Sequence, residues 1–307
     1  MPGFTKVLLT GAKGQLANAI KSCAPSTVEV IPLTRQQLDI CDADAVRQSI
    51  ARFRPDCVIN GAAYNLVDKA ETDGATDAFQ INAIGVAHLA GKCKENSIPL
   101  VHFSTDYVFD GKKKSAYNET DAVKPLSVYG ASKLAGENVV LSTSQQNYVI
   151  RVSRLFGPIE LKENSEAQKP TGNFPLTMLK SAATHSQIRV VNDQIGTPSY
   201  TPDLVNAIWQ LLDKSSAGLF HLSNSGEVGF DEYARTIFEM AGVNCEVVGI
   251  SSDEYNAPAK RPLYSTLSNA KVQELGITPL RSWKEALKEY LQREEVHPLT
   301  KSTFGNN

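Results

Sequence analysis

The sequence has no pair of cysteines at CxxC spacing: its five, Cys23, Cys41, Cys57, Cys93 and Cys245, are scattered singly and odd in number. That pattern excludes a thiolate zinc site and a dithiol redox centre, and leaves the cysteines as small buried hydrophobes. The five histidines, His88, His102, His185, His221 and His297, form no metal-spaced pair either, and are expected to be packing or surface residues. No run of about 18 apolar residues occurs, and Met1 to Lys6 contains no apolar stretch of signal-peptide length. A cytoplasmic location without membrane contact is expected. No charge of one sign dominates: 31 basic residues face 33 acidic ones, a net of -2, so no global field draws the chain onto nucleic acid. Any anion must be held locally.

What is present is an alternation of short apolar runs with longer amphipathic stretches. Strands are expected at Lys6 to Leu9, Val28 to Leu33, Cys57 to Asn60, Leu100 to Ser104 and Tyr148 to Val152, each rich in apolar or β-branched residues. Helices are expected at Gln15 to Cys23, Asp42 to Phe53, Ala75 to Asn96 and Val128 to Leu141. Pro55, Pro99 and Pro125 fall in the gaps, where a missing amide costs nothing. The expected fold is α/β, a Rossmann-type doubly wound parallel sheet with a smaller C-terminal α/β substrate domain. Residues 1–156 form the dinucleotide-binding part, with segments returning from about 190–225, and residues 157–307 are mainly the substrate part. After Gly157 the rhythm breaks at a polar insertion, Glu160 to Gly172, read as an exposed loop; the tail after Pro298 is read as frayed.

Val7 to Leu9 run into Thr10-Gly11-Ala12-Lys13-Gly14-Gln15-Leu16-Ala17 and then a helix, the strand, glycine turn and helix order of a dinucleotide site. Gly11 permits the tight turn, Gly14 lets backbone approach a diphosphate, and the helix start offers free amides and a positive dipole end. The second strand ends at Leu33-Thr34-Arg35, where the adenosine ribose is read. Arg35 there suits a 2′-phosphate, which favours NADPH while leaving NADH possible. Asp39 and Ile40 are placed to flank the adenine, although Asp39 is equally a turn residue before the helix cap at Asp42.

Tyr129-Gly130-Ala131-Ser132-Lys133 puts a phenol and an ammonium four residues apart, hence on one helix face. The neighbouring cation is expected to lower the Tyr129 pKa toward the range of efficient proton transfer, and Lys133 to bond the nicotinamide ribose. Thr105 leaves the carboxyl end of a parallel strand, facing the crevice where ligands bind, and is the candidate to bond a substrate oxygen beside Tyr129. Ser104 and Asp106 are equally plausible as turn-forming residues.

With these residues in hand, the sequence resembles the extended short-chain dehydrogenases, and within them the dTDP-4-dehydrorhamnose reductase family. The blocks that carry the resemblance include Leu38-Asp39-Ile40, Asn60-Gly61-Ala62-Ala63-Tyr64, Val67-Asp68-Lys69-Ala70-Glu71, Ser104 to Gly111, Val128 to Glu137, Val191-Asn192-Asp193-Gln194 and Lys260-Arg261-Pro262. The resemblance implies Thr105, Tyr129 and Lys133 as catalytic triad and Ala62, Ala63 and Tyr64 as cofactor-lining. It implies substrate contacts at Val67, Thr105 and Asp106, and places Asn192, Gln194 and Arg261 in the nucleotide-sugar half. The implied reaction is NADPH-dependent reduction of dTDP-4-dehydro-L-rhamnose at C4 to dTDP-L-rhamnose. The chain departs from the family at Arg154, where an aromatic platform usually meets the sugar, so a differing sugar contact is expected there.

Two other readings compete. A sugar-nucleotide epimerase or dehydratase uses the same triad, but the Asp-Glu pair of such dehydratases is missing after Thr105. A non-catalytic NADP-binding regulatory subunit, like that of methionine adenosyltransferase, is compatible with the same residues. A nucleotide-sugar ligand and no metal are expected, and a homodimer is allowed.

Overall fold

The computed structural model describes residues 3–159, 172–214, 216–293 and 296. The insertion at 160–172, apart from Gly172, lies outside the described residues, as do His297 and the tail after Pro298.

Strands β1 (Lys6–Thr10), β2 (Glu29–Leu33), β3 (Cys57–Asn60), β4 (Leu100–Thr105) and β5 (Tyr148–Val152) join a strand at Gly218–His221 in one sheet. Its order is β2-β1-β3-β4-β5 followed by Gly218–His221, and every neighbouring pair is parallel. The near-continuous apolar runs follow from this placement, because both faces are covered. Val7, Leu9, Ile59 and Ile150 pack on one face against Leu16 and Ile20 and against Leu204, Ile208 and Leu212. Leu8, Val58, Leu100 and Val149 point the other way, against Val46, Ile50, Val86 and Leu89. The alternation of Leu8 with Val7 and Leu9 is the period of two of a strand buried on both sides. Chain order reverses across β1 and β3, so their carboxyl ends open a crevice of the kind that holds ligands in doubly wound sheets.

Six helices come from this half: α1 (Gln15–Ser22), α2 (Ala43–Phe53), α3 (Val67–Ala70), α4 (Ala75–Phe79), α5 (Gly85–Glu95) and α6 (Val128–Thr143). Asp42 caps α2 by accepting from the Ala45 amide, and Ser127 caps α6 by accepting from Gly130. The single helix expected over Ala75 to Asn96 is instead α4 and α5 joined by a π-helical turn at Gln80–Ile84. The reason is tertiary. Asn82 within that turn is fully buried, accepts from the Tyr64 amide at 2.9 Å, and donates to the Tyr64 carbonyl at 3.0 Å and to Ser132 Oγ at 2.9 Å. A wide turn at a functional wall is a recurrent device.

A third cluster gathers Phe156, Leu176, Tyr200, Tyr233, Ile237, Trp283 and Tyr290. It is built by helices Phe174–Ala182, Phe230–Ala241 and Trp283–Leu291 beside the parallel strand pair Gln187–Val191 and Glu246–Ile250. Among the described residues no helix is long and apolar enough to cross a membrane.

Candidate active site

The turn after β1 is shaped for close backbone approach. Gly11 has φ +65°, and a Cβ there would stand 2.6 Å from the Ala62 amide nitrogen and from the Gly61 carbonyl. The Gly14 amide donates to the Gly11 carbonyl at 2.8 Å, and no side chain caps the start of α1. The first amides of α1 are thereby left for a ligand. Gly11→Ala is expected to destabilise the fold by about 1–3 kcal/mol, because the left-handed conformation and the backbone overlap must both relax; differential scanning calorimetry measures it, and an unchanged melting temperature would refute the steric account.

A cleft of about 330 Å³ opens over this turn, lined among others by Gly14, Gln15, Leu16, Gly61, Ala62, Ala63, Ser104, Tyr129 and Lys133. A second, about 300 Å³, is lined by Val67, Ser104, Thr105, Asp106, Tyr107, Tyr129, Arg154 and Phe230. A third, about 280 Å³, is lined by Phe174, Gln194, Phe230, Tyr255 and Arg261. Tyr129 and Ser104 border the first two, and Phe230 the last two, so the three form one trough at the carboxyl ends of the strands. A larger open depression of about 880 Å³ sits at the opposite end of the sheet. Its carboxylate, Asp56, already accepts from Thr5 and Lys6, and the depression holds none of the expected catalytic groups.

The three groups expected to converge do so. Lys133, 3% exposed, donates its Nζ to the Phe103 carbonyl at 2.5 Å. Tyr129 shares a hydrogen bond with Thr105, and its ring meets Tyr107 edge-on at 6.0 Å. Thr105 Oγ1 also donates to Asp106 Oδ1 at 3.0 Å and accepts from the Tyr107 amide at 3.2 Å. Local packing makes this possible: a Cβ on Gly130 would lie 2.4 Å from the Tyr107 carbonyl, so α6 starts pressed against the segment after β4. Glu71 helps by accepting from the Val128 amide at 2.6 Å.

The electrostatics correct one expectation. Tyr129 is raised, not lowered: burial dominates, the charges of Asp106 and Tyr107 add to it, and only the Thr105 hydrogen bond opposes. Lys133 does not offset this because its ammonium is turned to the Phe103 carbonyl. Burial lowers Lys133 to about 8, against the pull of Glu137. Burial also raises Asp106, although Ser265, Arg154, Ser153 and Thr105 all favour its charged form. The cleft is therefore dry enough for desolvation to outweigh neighbouring charges.

Other expected residues fall less uniformly. Lys13 is exposed beside the glycine turn. Arg35 is exposed and paired with Asp39, Nε to Oδ2 at 3.1 Å. Two side chains expected beside the cofactor are packed in apolar clusters instead. Ile40 packs in the core, 2.7 Å from where a Cβ on Gly85 would stand, and the Tyr64 ring lies with Ala70 and Ala78 against Gly74. Asn192 is likewise exposed against Gly249 and Asp231 rather than in the trough. Gln194 donates to Ser252 Oγ at 2.9 Å, while Arg261 forms a fork with Asp68 at 3.0 and 2.9 Å. Arg154, with φ 44°, donates to the carbonyls of Val228 at 2.8 Å and Gln194 at 2.9 Å and lies 3.9 Å over the Phe230 ring. It is a fixed, stacked cation where a flat aromatic was expected by the family pattern.

Sequence reasoning missed Glu71, Asn82 and Glu137. Glu137 continues the spacing of Tyr129 and Lys133 along α6, a signal that was readable; Glu71 and Asn82 act across the fold and leave none.

Comparison with known proteins places this geometry. The RmlD substrate binding domain model matches residues 5–296. The chain is 39% identical over 290 residues to the spore coat polysaccharide biosynthesis protein SpsK of Bacillus subtilis, covering 94% of this chain and 98% of that one. It is 38% identical to the dTDP-4-dehydrorhamnose reductase of Mycolicibacterium smegmatis, covering 92% and 84%. The crystal structure of a dTDP-4-dehydrorhamnose reductase from Bacillus anthracis in complex with NADP superposes with a TM-score of 0.86 at 34% identity, covering 94% of this chain and 98% of that one. The chain belongs to the RmlD substrate binding domain family, the family of the dTDP-4-dehydrorhamnose reductases.

Proposed function

We propose that this chain is an NADPH-dependent reductase of the 4-keto group of a nucleotide-linked deoxysugar, converting dTDP-4-dehydro-L-rhamnose to dTDP-L-rhamnose. The observation that carries the reading is the meeting of Tyr129, Lys133 and Thr105 at the junction of two clefts, one of them floored by the glycine turn. The chain's similarity to reductases of that name supports the choice of substrate.

The residues present fit a dinucleotide. The backbone around Gly11 is too close for any Cβ, and Gln15 Nε2 and Asn18 Oδ1 on α1 are buried without partners, as donor and acceptor for a polar ligand. Gly11, Lys13, Gly14, Gln15 and Leu16 would hold the diphosphate, and Arg35 a 2′-phosphate. Asp39 and the Ile40 backbone would border the adenine, and Ala62, Ala63 and the Tyr64 backbone the path to the nicotinamide. When bound, the reduced nicotinamide supplies a hydride to the sugar C4. Tyr129 holds a proton on Oη and passes it to the C4 oxygen as negative charge builds there. Its raised pKa suits that task, keeping the phenol protonated until a stronger base forms beside it. Thr105 Oγ1 would turn its one proton from Asp106 to the same oxygen, and Lys133, which keeps two further protons beyond the one given to the Phe103 carbonyl, would orient the ribose. Asp106, Val67 and Arg154 would contact the sugar, with Gln194 and Arg261 toward the nucleotide and Asn192 outside that set.

In the same reading, residues 1–156, with a return through about 190–225, carry the cofactor, and the remainder mainly the sugar nucleotide. A cytoplasmic setting suits an enzyme fed by NADPH, and a homodimer is compatible, to be decided by light scattering.

The test is NADPH oxidation with the purified ketosugar nucleotide: one NADPH consumed per dTDP-L-rhamnose formed supports the reading, and no consumption with any 4-ketosugar nucleotide ends it. Arg35→Asp is expected to raise the KM for NADPH by about tenfold or more and leave that for NADH within about twofold, since one charge-assisted phosphate contact is removed. An unaltered ratio of the two would take Arg35 out of cofactor recognition.

A further inference from the structure

Beneath the catalytic helix lies a buried charged pair with no part in the scheme above. Glu137 and Arg151 are 1% and 3% exposed, joined by parallel bonds from Arg151 Nε to Oε1 at 2.9 Å and Nη2 to Oε2 at 2.7 Å. The Ser104 hydroxyl donates to Oε1 as well. Arg151 Nη1 donates to His221 Nε2 at 3.2 Å, and His221 Nδ1 to the Tyr117 carbonyl at 3.1 Å; an arginine has only donors, which fixes that tautomer. Ser104, Arg151 and His221 stand opposite one another on three adjacent strands, so they make one polar row under α6.

Stability does not account for such a row, because a buried ion pair is often no better than apolar residues of the same volume. Its location does. Glu137 lies one turn beyond Lys133 and two beyond Tyr129 on the same helix face. Ser104 lies between Phe103, whose carbonyl receives Lys133, and Thr105. The row therefore ties both halves of the catalytic group together.

We propose that Glu137, clamped by Arg151 and Ser104, is a positioning residue for Tyr129, Lys133 and Thr105: it fixes α6 on β4 and supplies the negative charge that keeps Lys133 an ammonium in the dry cleft. The inference rests on the reductase reading for its catalytic consequence. Glu137 faces Lys133 from its own helix and His102 from β4. Burial and the Lys133 charge together hold His102 neutral, and the charge of Arg151 is met by Glu137. Burial pushes Lys133 down to about 8, with Glu137 opposing.

The test uses the full chain carrying Glu137→Gln, and a second variant, Glu137→Leu with Arg151→Met, which removes both charges and so keeps a folded core. Lysine labelled with ¹³C reports the Lys133 titration by NMR without cofactor, its signal assigned by loss in Lys133→Met. The midpoint is expected to fall by about 1–2 pH units in Glu137→Gln, the effect of one charge a helical turn away at an effective dielectric near 20, and by a smaller amount in the double variant, where loss of the Arg151 cation offsets part of it. At pH 8, kcat is then expected to fall about tenfold and to recover as the pH is lowered, whereas a merely structural defect depresses kcat equally at every pH. An unmoved Lys133 midpoint in folded Glu137→Gln, or a raised one in the double variant, overturns the proposal. A lowered midpoint in a protein whose parent turns over no 4-ketosugar nucleotide supports the role of Glu137 and sinks the reductase reading instead.

Discussion

Tyr129→Phe is expected to lower kcat by about 10²–10⁴-fold while leaving the Kd for NADPH within about twofold. The substitution keeps the ring, and with it the edge-on contact to Tyr107 at 6.0 Å, so the wall of the trough stays in place. What it removes is the proton-bearing oxygen and the hydrogen bond to Thr105. The raised pKa also fixes the pH response: the phenol stays protonated through neutral and mildly alkaline solution, so a loss of kcat near pH 8 belongs to Lys133 and not to Tyr129. Stopped-flow reduction with a fluorescence titration of NADPH separates the two constants. Wild-type kcat in the variant would remove Tyr129 from the chemistry.

Lys133→Met is expected to abolish turnover, by about 10³-fold or more, and yet to stabilise the protein at neutral pH. Its ammonium has a folded pKa of about 8, below the ordinary 10.5, because burial disfavours the charge. Below pH 8 both folded and unfolded chains carry the proton, and the whole burial penalty is present, about 3 kcal/mol. Between pH 8 and 10.5 the unfolded chain binds more protons than the folded one, so wild-type stability rises with pH. Above 10.5 the penalty is gone. Methionine escapes the penalty but leaves the Phe103 carbonyl without its donor, about 1–3 kcal/mol in the other direction. The net gain at pH 7 is expected to be up to about 2 kcal/mol, shrinking to nothing or reversing by pH 10.5, as read from denaturant melts at the two pH values. A variant destabilised by the same amount at both would show that Lys133 is not buried as an ammonium.

Much of the sheet was legible because its signals are local. The Val-Leu-Leu run before Gly11 and the Val-His-Phe run before Ser104 carry their own periodicity and turn chemistry, and they became β1 and β4 within a residue or two. Tyr129 and Lys133 were legible for the same reason, since four residues of helix fix a shared face. Reading failed where a distant partner decides. The Tyr64 ring and Ile40 were taken by the core, and one long helix was broken by the demand of Asn82 for the Tyr64 backbone. The direction of the Tyr129 shift depends on how dry the trough is, which no spacing encodes. Arg154 was seen as a departure, but its stacking on Phe230 depends on a contact 76 positions away along the chain.

The wide turn at Gln80–Ile84 constrains how this chain varies. A π turn holds one residue more than an α-helical turn, so dropping one residue there would let the helix close up and pull Asn82 off the Tyr64 backbone it now bonds. Residues on its outer side, such as Ile84, are free to change identity, whereas the number of residues in the stretch is locked. Natural variants should thus differ here in letters and keep the same length.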